Sequence, residues 1–231
     1  MHLPIPPERD FHWRGGEISR LEGFSDAVFA FAITLLVVSL EVPRTYRELM
    51  DAMRGFVPFA ICFALLVNIW LEHYRFFRRY GLQTMTSVAL NCLLLFFVLF
   101  YVYPLKFLFV TLFGAGGEFH QAAEARTLFV IYGLGYAAVF LVLSALYLHA
   151  WRLRRRLELN AVEALKTRQS LIDHLAMVVV GLLSVALALT LPLRLIGLAG
   201  YFYCIIGVYF TIAGTIFGRR QRLLKERSTA A

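Results

Sequence analysis

Arg20, Ser25 and Asp26 fall within two helical turns of one another, in the run RLEGFSD that leads straight into the apolar stretch AVFAFAITLLVV. A cation, a hydroxyl and a carboxylate at that spacing support three kinds of chemistry. They can pair across helices; Ser25 and Asp26 can accept free amides at a helix N-terminus, where the dipole is positive; or they can join His73 as the letters of a hydrolytic triad. The triad fails on geometry, because adjacent residues on a helix point about 100° apart and no Gly-x-Ser-x-Gly elbow is present. No catalytic residue is assigned and the chain is read as a non-enzyme. Ser25 with Asp26 is expected to cap the helix. Asp26 is also expected to meet Arg20 of a neighbouring copy or polar groups on a second helix, where Asn68, Trp70 and His73 lie within two turns of each other. At a helix centre in hydrocarbon a carboxylate costs about 2.5–3.5 kcal/mol, so Asp26 needs an interface or a partner.

The elements that must position these groups are membrane helices. Of 231 residues, 60% are hydrophobic and only 16% charged, with a mean hydropathy of +0.68, more apolar than a soluble core requires. Six runs are long enough to cross a bilayer: Phe24 to Val42, Gly55 to Leu71, Val88 to Val110, Leu128 to Trp151, Leu171 to Leu191 and Ile196 to Phe217. The expected fold is therefore all-α, a polytopic bundle of six transmembrane helices in one domain covering 1–231. Pro43 closes the first span, and LPLRLIG is short enough to make spans five and six a hairpin. The stretch WRLRRRLELNAVEALKTRQS has helical spacing and alternating charge, so the fourth span is expected to continue as a solvated helix.

The net charge of +8 is explained by topology. Seventeen of the 23 Lys and Arg lie before span one or after spans two, four and six, which places both termini in the cytoplasm and makes nucleic acid an unsuited partner. The first apolar run follows about twenty polar or mixed residues and carries an acid at its head, unlike a cleaved signal peptide. Cys62, Cys92 and Cys204 sit singly in different spans, without the spacing of a metal or redox site, and are read as packing residues; no metal or cofactor is expected. Asn91 reads as interhelical glue, and His149, Asp173 and His174 as interfacial groups.

Projected at 100° per residue, Ala27, Phe31, Thr34, Leu35 and Val38 fall within about 60° of Phe31, and Arg20 and Phe24 extend the same stripe. Ser25 and Asp26 project about 120° and 140° away, so stripe and acid face different neighbours.

Arg20, Phe24, Ser25 and Asp26 match the R-x-x-x-F-S-D pattern of the transmembrane protein 175 family of potassium channels, and Trp70-x-x-His73 resembles the pattern of that family's second span. The resemblance implies a potassium-permeable cation channel, moderately selective for potassium over sodium, with no T-V-G-Y-G filter and none in this sequence. It implies a homotetramer in the bilayer whose first helices line the pore, with Phe31, Leu35 and Val38 as apolar constrictions and Thr34 as a ring of hydroxyls. Arg20, Phe24, Ser25, Asp26, Trp70 and His73 would form a structural network. Glu41 would bias the outer mouth toward cations. Phe31 departs from the isoleucine or leucine usual at the narrowest ring. A secondary transporter or proton-leak pathway is the alternative, disfavoured because Pro58 and Pro104 lie near helix ends and no inverted repeat is evident.

Overall fold

Ser19 and Glu22 start the first helix. The Ser19 hydroxyl accepts the Glu22 N–H at 3.2 Å, and Glu22 Oε2 takes back the Ser19 N–H at 2.9 Å and its hydroxyl at 2.7 Å. In the computed structural model, which describes residues 11–38, 44–113 and 122–229, helix α1 therefore runs Arg20–Val38. Ser25 and Asp26 lie in its second turn. This corrects the capping role expected of them: the S-x-x-E sequence one turn earlier satisfies the free amides.

Every described element is helical. After α1 come α2 (Tyr46–Arg54), α3 (Phe56–Tyr80), α4 (Met85–Leu112), α5 (Ala122–Arg152), α6 (Ala161–Thr190), the short α7 (Gly197–Tyr201) and α8 (Ile205–Thr229), with 3-10 turns at Leu193–Leu195 and Phe202–Cys204. Five stretches are long and apolar enough to cross a membrane: Phe56–Tyr80, Met85–Leu112, Ala123–Arg152, Ala161–Thr190 and Gly197–Gln221. Helix α2 has no counterpart among the expected spans. Its signal is the capping pair Thr45 and Glu48, Thr45 accepting the Glu48 N–H at 3.2 Å while Glu48 Oε2 accepts the Arg44 N–H at 2.7 Å.

Two boundaries differ from expectation for visible reasons. Helix α3 runs past Leu71 to Tyr80 and stops where Gly81 adopts φ 57°, the left-handed geometry that glycine enters without a Cβ penalty. Nor does the fourth span continue into WRLRRRLELNAVEALKTRQS. Helix α5 ends at Arg152, Glu158 takes a positive φ of 49°, and Asn160 starts α6 with a reciprocal cap to Glu163.

The core is a layered bundle. Helices α5 and α6 pack along much of their length, α4 lies against α5, and α1 lies in the angle between α3 and α4, with α8 outside α6. Gly133 of α5 and Gly181 of α6 bring those backbones together: a Cβ on Gly181 would sit 3.0 Å from the Gly133 carbonyl oxygen. Residues 11–16 strap the ends of α3 and α6. Arg14 pairs with buried Glu163 at 2.8 Å and donates to the Leu157 carbonyl at 2.7 Å, while the Gly15 N–H bonds to the Arg78 carbonyl at 3.1 Å.

Candidate functional site

Two faces of α1 have opposite surroundings. Ser25, Phe29, Ala32 and Leu36 recur at i, i+4, i+7 and i+11 and are buried, which sets one stripe of the helix into the α3–α4 angle. Opposite them, Phe24 is 58% and Phe31 56% exposed, with Arg20, Ala27 and Thr34 exposed beside them. Leu35 sits at the margin, half-buried against the core. Glu41 and the Val38 side chain lie outside the described residues.

The buried stripe is held by a directional chain of hydrogen bonds. His73 Nε2 of α3 lies 2.8 Å from Asn91 Oδ1 of α4, Asn91 Nδ2 donates to Ser25 Oγ at 2.9 Å, and the Ser25 hydroxyl donates to the Leu21 carbonyl at 2.8 Å. Because the Asn91 oxygen can only accept, His73 must present an Nε2–H, which assigns its tautomer. Ser25, His73 and Asn91 are all buried, so each bond satisfies a group that water does not reach. Rings seal the site: His73 packs 4.7 Å from Phe77 and 5.6 Å from Phe29 between centroids.

A second contact holds α1 from its flank. Trp70 Nε1 donates to Asp26 Oδ1 at 2.8 Å at an exposed position, and the Trp70 ring stacks on Tyr74 at 5.7 Å. Near the other end of α1, Lys106 Nζ of α4 donates to the Leu36 carbonyl at 2.7 Å, a cation at the negative end of the helix dipole.

Of the six residues expected in the network, the fold brings Ser25, Asp26, Trp70 and His73 together. Arg20 and Phe24 instead lie on the exposed stripe, and Arg20 makes no hydrogen bond or ion pair among the described residues. Asn91, expected only as interhelical glue, is the middle member. Sequence reading missed Lys106, whose signal was a lone cation inside an apolar run, where an ionisable side chain must find a partner. Thr34 folds its hydroxyl back onto the Phe31 carbonyl at 2.7 Å, which consumes its proton and leaves oxygen lone pairs facing outward. No group of three or more His, Cys, Asp or Glu is placed to hold a metal among the described residues. What this arrangement can do is present a fixed line of apolar side chains and one hydroxyl to whatever lies beyond the chain.

Comparison with known proteins places these features in a wider group. A family model described as the endosomal/lysosomal potassium channel TMEM175 matches residues 20–104, which hold the buried network, Trp70 and the exposed stripe up to Leu35. A protein of Marivirga tractuosa named as a potassium channel is 42% identical over 235 residues, 94% of either chain. The crystal structure of a variant of the potassium channel MtTMEM175, in complex with a nanobody fusion protein, superposes with a TM-score of 0.79 at 40% identity, covering 92% of this chain and 98% of that one. A lysosomal potassium-selective channel homologue from Chamaesiphon minutus superposes with a TM-score of 0.55 at 26% identity, covering 87% and 96% of the two chains.

Proposed function

Because this chain belongs to the TMEM175 family of potassium channels, we propose that it conducts potassium through a pore formed where the first helices of four identical copies meet around an axis. The observation that carries the reading is the two-faced first helix. One stripe is locked into its own subunit by Ser25, Asn91 and His73, while the opposite stripe leaves Phe24 and Phe31 more than half exposed. A helix anchored so firmly on one side holds its opposite stripe at a fixed rotation, as a pore-lining face requires.

In this reading α1 belongs to a sixth span, and both termini lie with the basic loops in the cytoplasm of a prokaryotic inner membrane. Phe31, Leu35 and Val38 are stacked apolar constrictions. They block ions by excluding water when narrow and conduct when they open wide enough to wet. The outward lone pairs of Thr34 replace part of a cation's hydration without a fixed charge, which supports a moderate preference for potassium over more strongly hydrated sodium. Glu41 biases the outer mouth toward cations.

Phe31→Asn tests the gate. In a pore, an amide ring keeps water in the constriction, so passive potassium flux from liposomes rises and preference over sodium weakens, with oligomer stability unchanged. On a packing seam, the same substitution buries an amide and lowers stability by about 1–3 kcal/mol without current. Unitary currents in wild-type bilayers mark a channel, whereas saturating flux without them marks a carrier.

A further inference from the structure

A cavity of about 780 Å³ lies among α3, α4, α5, α6 and α8, and no residue of α1 lines it. Its α3 wall is Ile61, Leu65, Asn68, Glu72, Arg75 and Arg79, residues that follow one another every three or four positions along one helix face. The chemistry down that wall is therefore apolar, then amide, then acid, then cation. Helix α6 runs the opposite way and presents Met177, then Asp173 with His174, then Ser170. The acids thus border an apolar chamber whose rings include Tyr101, Tyr132, Tyr136 and Phe140, and the cations lie beyond the acids.

The arginines are engaged with the protein: Arg75 donates to Glu72 Oε1 at 2.6 Å and Arg79 to Ser170 Oγ at 3.2 Å. The atoms left at the border of the chamber are acceptors. His174 Nδ1 donates to the Ser170 carbonyl, which can only accept, so a neutral His174 turns the lone pair of Nε2 toward Glu72 Oε2, 3.6 Å away. Asp173 Oδ1 accepts the Tyr209 hydroxyl at 2.8 Å, and its second oxygen has no hydrogen bond among the described residues. Nε2, Oε2 and Oδ2 are three acceptors without a donor, and His174 is only 5% exposed. Buried polar groups are paired, so the arrangement calls for a group with several N–H donors. A primary ammonium has three, together with a positive charge to match the carboxylates. The adjoining chamber offers apolar surface and aromatic faces to the rest of such a molecule, and its volume lies within the roughly 300–1,000 Å³ of single-ligand sites.

We propose that this cavity binds one hydrophobic primary amine, its ammonium donating to Glu72, Asp173 and His174 and its apolar body lying among Leu65, Leu105 and the tyrosine rings. The order of polarity in the ligand is then that of the wall, body toward Ile61 and head at Glu72. Helix α8 packs closely on α6 but not on α3, so a hydrophobic solute can enter from lipid between α3 and α8. The assignment does not depend on which helix lines the pore.

Full-length protein is dialysed to equilibrium against radiolabelled 3,3-diphenylpropylamine at neutral pH, with detergent matched on both sides. The expected result is one amine bound per subunit, displaced by the unlabelled amine and not by the corresponding alcohol, carboxylic acid or N-trimethyl analogue. The alcohol offers one donor and no charge, the acid is repelled by the carboxylates, and the trimethylammonium has no N–H. Asp173→Asn should weaken binding about tenfold, and Leu65→Trp, which narrows the apolar chamber, should abolish it in protein that elutes as the wild-type oligomer. Neither residue is on α1, so both losses separate this site from an amine held in a pore. Three results overturn the proposal: no saturable binding, as expected if a proton on His174 completes the cluster; equal displacement by the alcohol; or binding indifferent to both substitutions. Should one variant fail to assemble, the other decides together with the ranking of the four compounds on wild-type protein.

Discussion

Helices α5 and α6 are drawn together by a close backbone approach at paired glycines, whereas the seat of α1 on α3 and α4 carries a chain of buried hydrogen bonds, and the contrast shows two ways of fastening helices where lipid is as apolar as the side chains. At the α5–α6 seam, Gly133 and Gly181 let the chains approach until a single added carbon would touch a carbonyl. At the α1 seam the contact surface is one narrow stripe in which three small or medium side chains, Ser25, Ala32 and Leu36, flank Phe29. Fixed orientation there comes from Ser25, Asn91 and His73. Glycine contacts set how closely two helices approach; hydrogen bonds on one stripe fix a helix's rotation and leave the opposite stripe free for use.

The strongest break of that contrast is Gly181→Leu. Its Cβ would lie 3.0 Å from the Gly133 carbonyl oxygen and 3.1 Å from Ala137 and Tyr136, and backbone cannot retract as a side chain can. A loss of about 3 kcal/mol or more and of the monodisperse peak in size-exclusion chromatography is expected, whereas Gly214→Ala, with open space around its position, should be neutral or slightly stabilising.

Asn91→Leu comes next. It removes a donor and an acceptor at once, leaves the His73 Nε2–H unpaired in a dry site and leaves Ser25 only its bond to the Leu21 carbonyl, so the thermal unfolding of the purified oligomer should drop by an amount equivalent to about 1–3 kcal/mol. If α1 were held by packing alone, a leucine of similar volume would be tolerated. Trp70→Phe should cost less, about 0.6–1.7 kcal/mol, because the Asp26 carboxylate it abandons is exposed. Asp26→Asn keeps an acceptor oxygen for Trp70 and should cost less still. An Asp26→Asn protein that unfolds before Trp70→Phe would show a further partner for the acid.

The smallest effect is expected at α2. The Glu48 carboxyl is held below its ordinary pKa chiefly by the Arg44 N–H, which outweighs an opposing desolvation, with further support from the Thr45 hydroxyl and backbone. A lowered folded-state value means that its support of α2 is complete above the ordinary glutamate range and is lost as pH falls through that range and below. Amide exchange over 46–54 should therefore quicken at acid pH in the wild type, and Glu48→Gln should flatten that dependence.

Much of the candidate site was legible because its signals were costs. An acid and a hydroxyl at the head of an apolar run demand partners, and Trp70 and His73 were the polar groups at the matching depth. Asn91 was visible as a polar residue in lipid, though not as the link between Ser25 and His73. Its role depends on α1 lying in the angle between α3 and α4, a contact between residues 66 positions apart in the chain. The same limit hid Lys106, whose partner is a backbone carbonyl and carries no side-chain letter. Helix α2 was legible in Thr45 and Glu48 but masked by the search for long apolar runs, since its nine residues are polar and short.

Composition and periodicity by themselves determined that the chain is a helical membrane protein. Twenty-residue apolar runs cannot satisfy their backbone in lipid except as helices, and a period of 3.6 alone separates the Phe31 stripe from Ser25 and Asp26. Local chemistry determined that α1 begins at Ser19, that α3 stops at Gly81 and that α6 begins at Asn160. Tertiary structure alone decided which stripe of α1 turns inward, because both stripes are apolar and only the meeting of Ser25 with Asn91 breaks the tie. It alone decided that acids and bases on α3 and α6 converge on one cavity, since Glu72 and Asp173 become neighbours only when two helices far apart in the chain face each other across it.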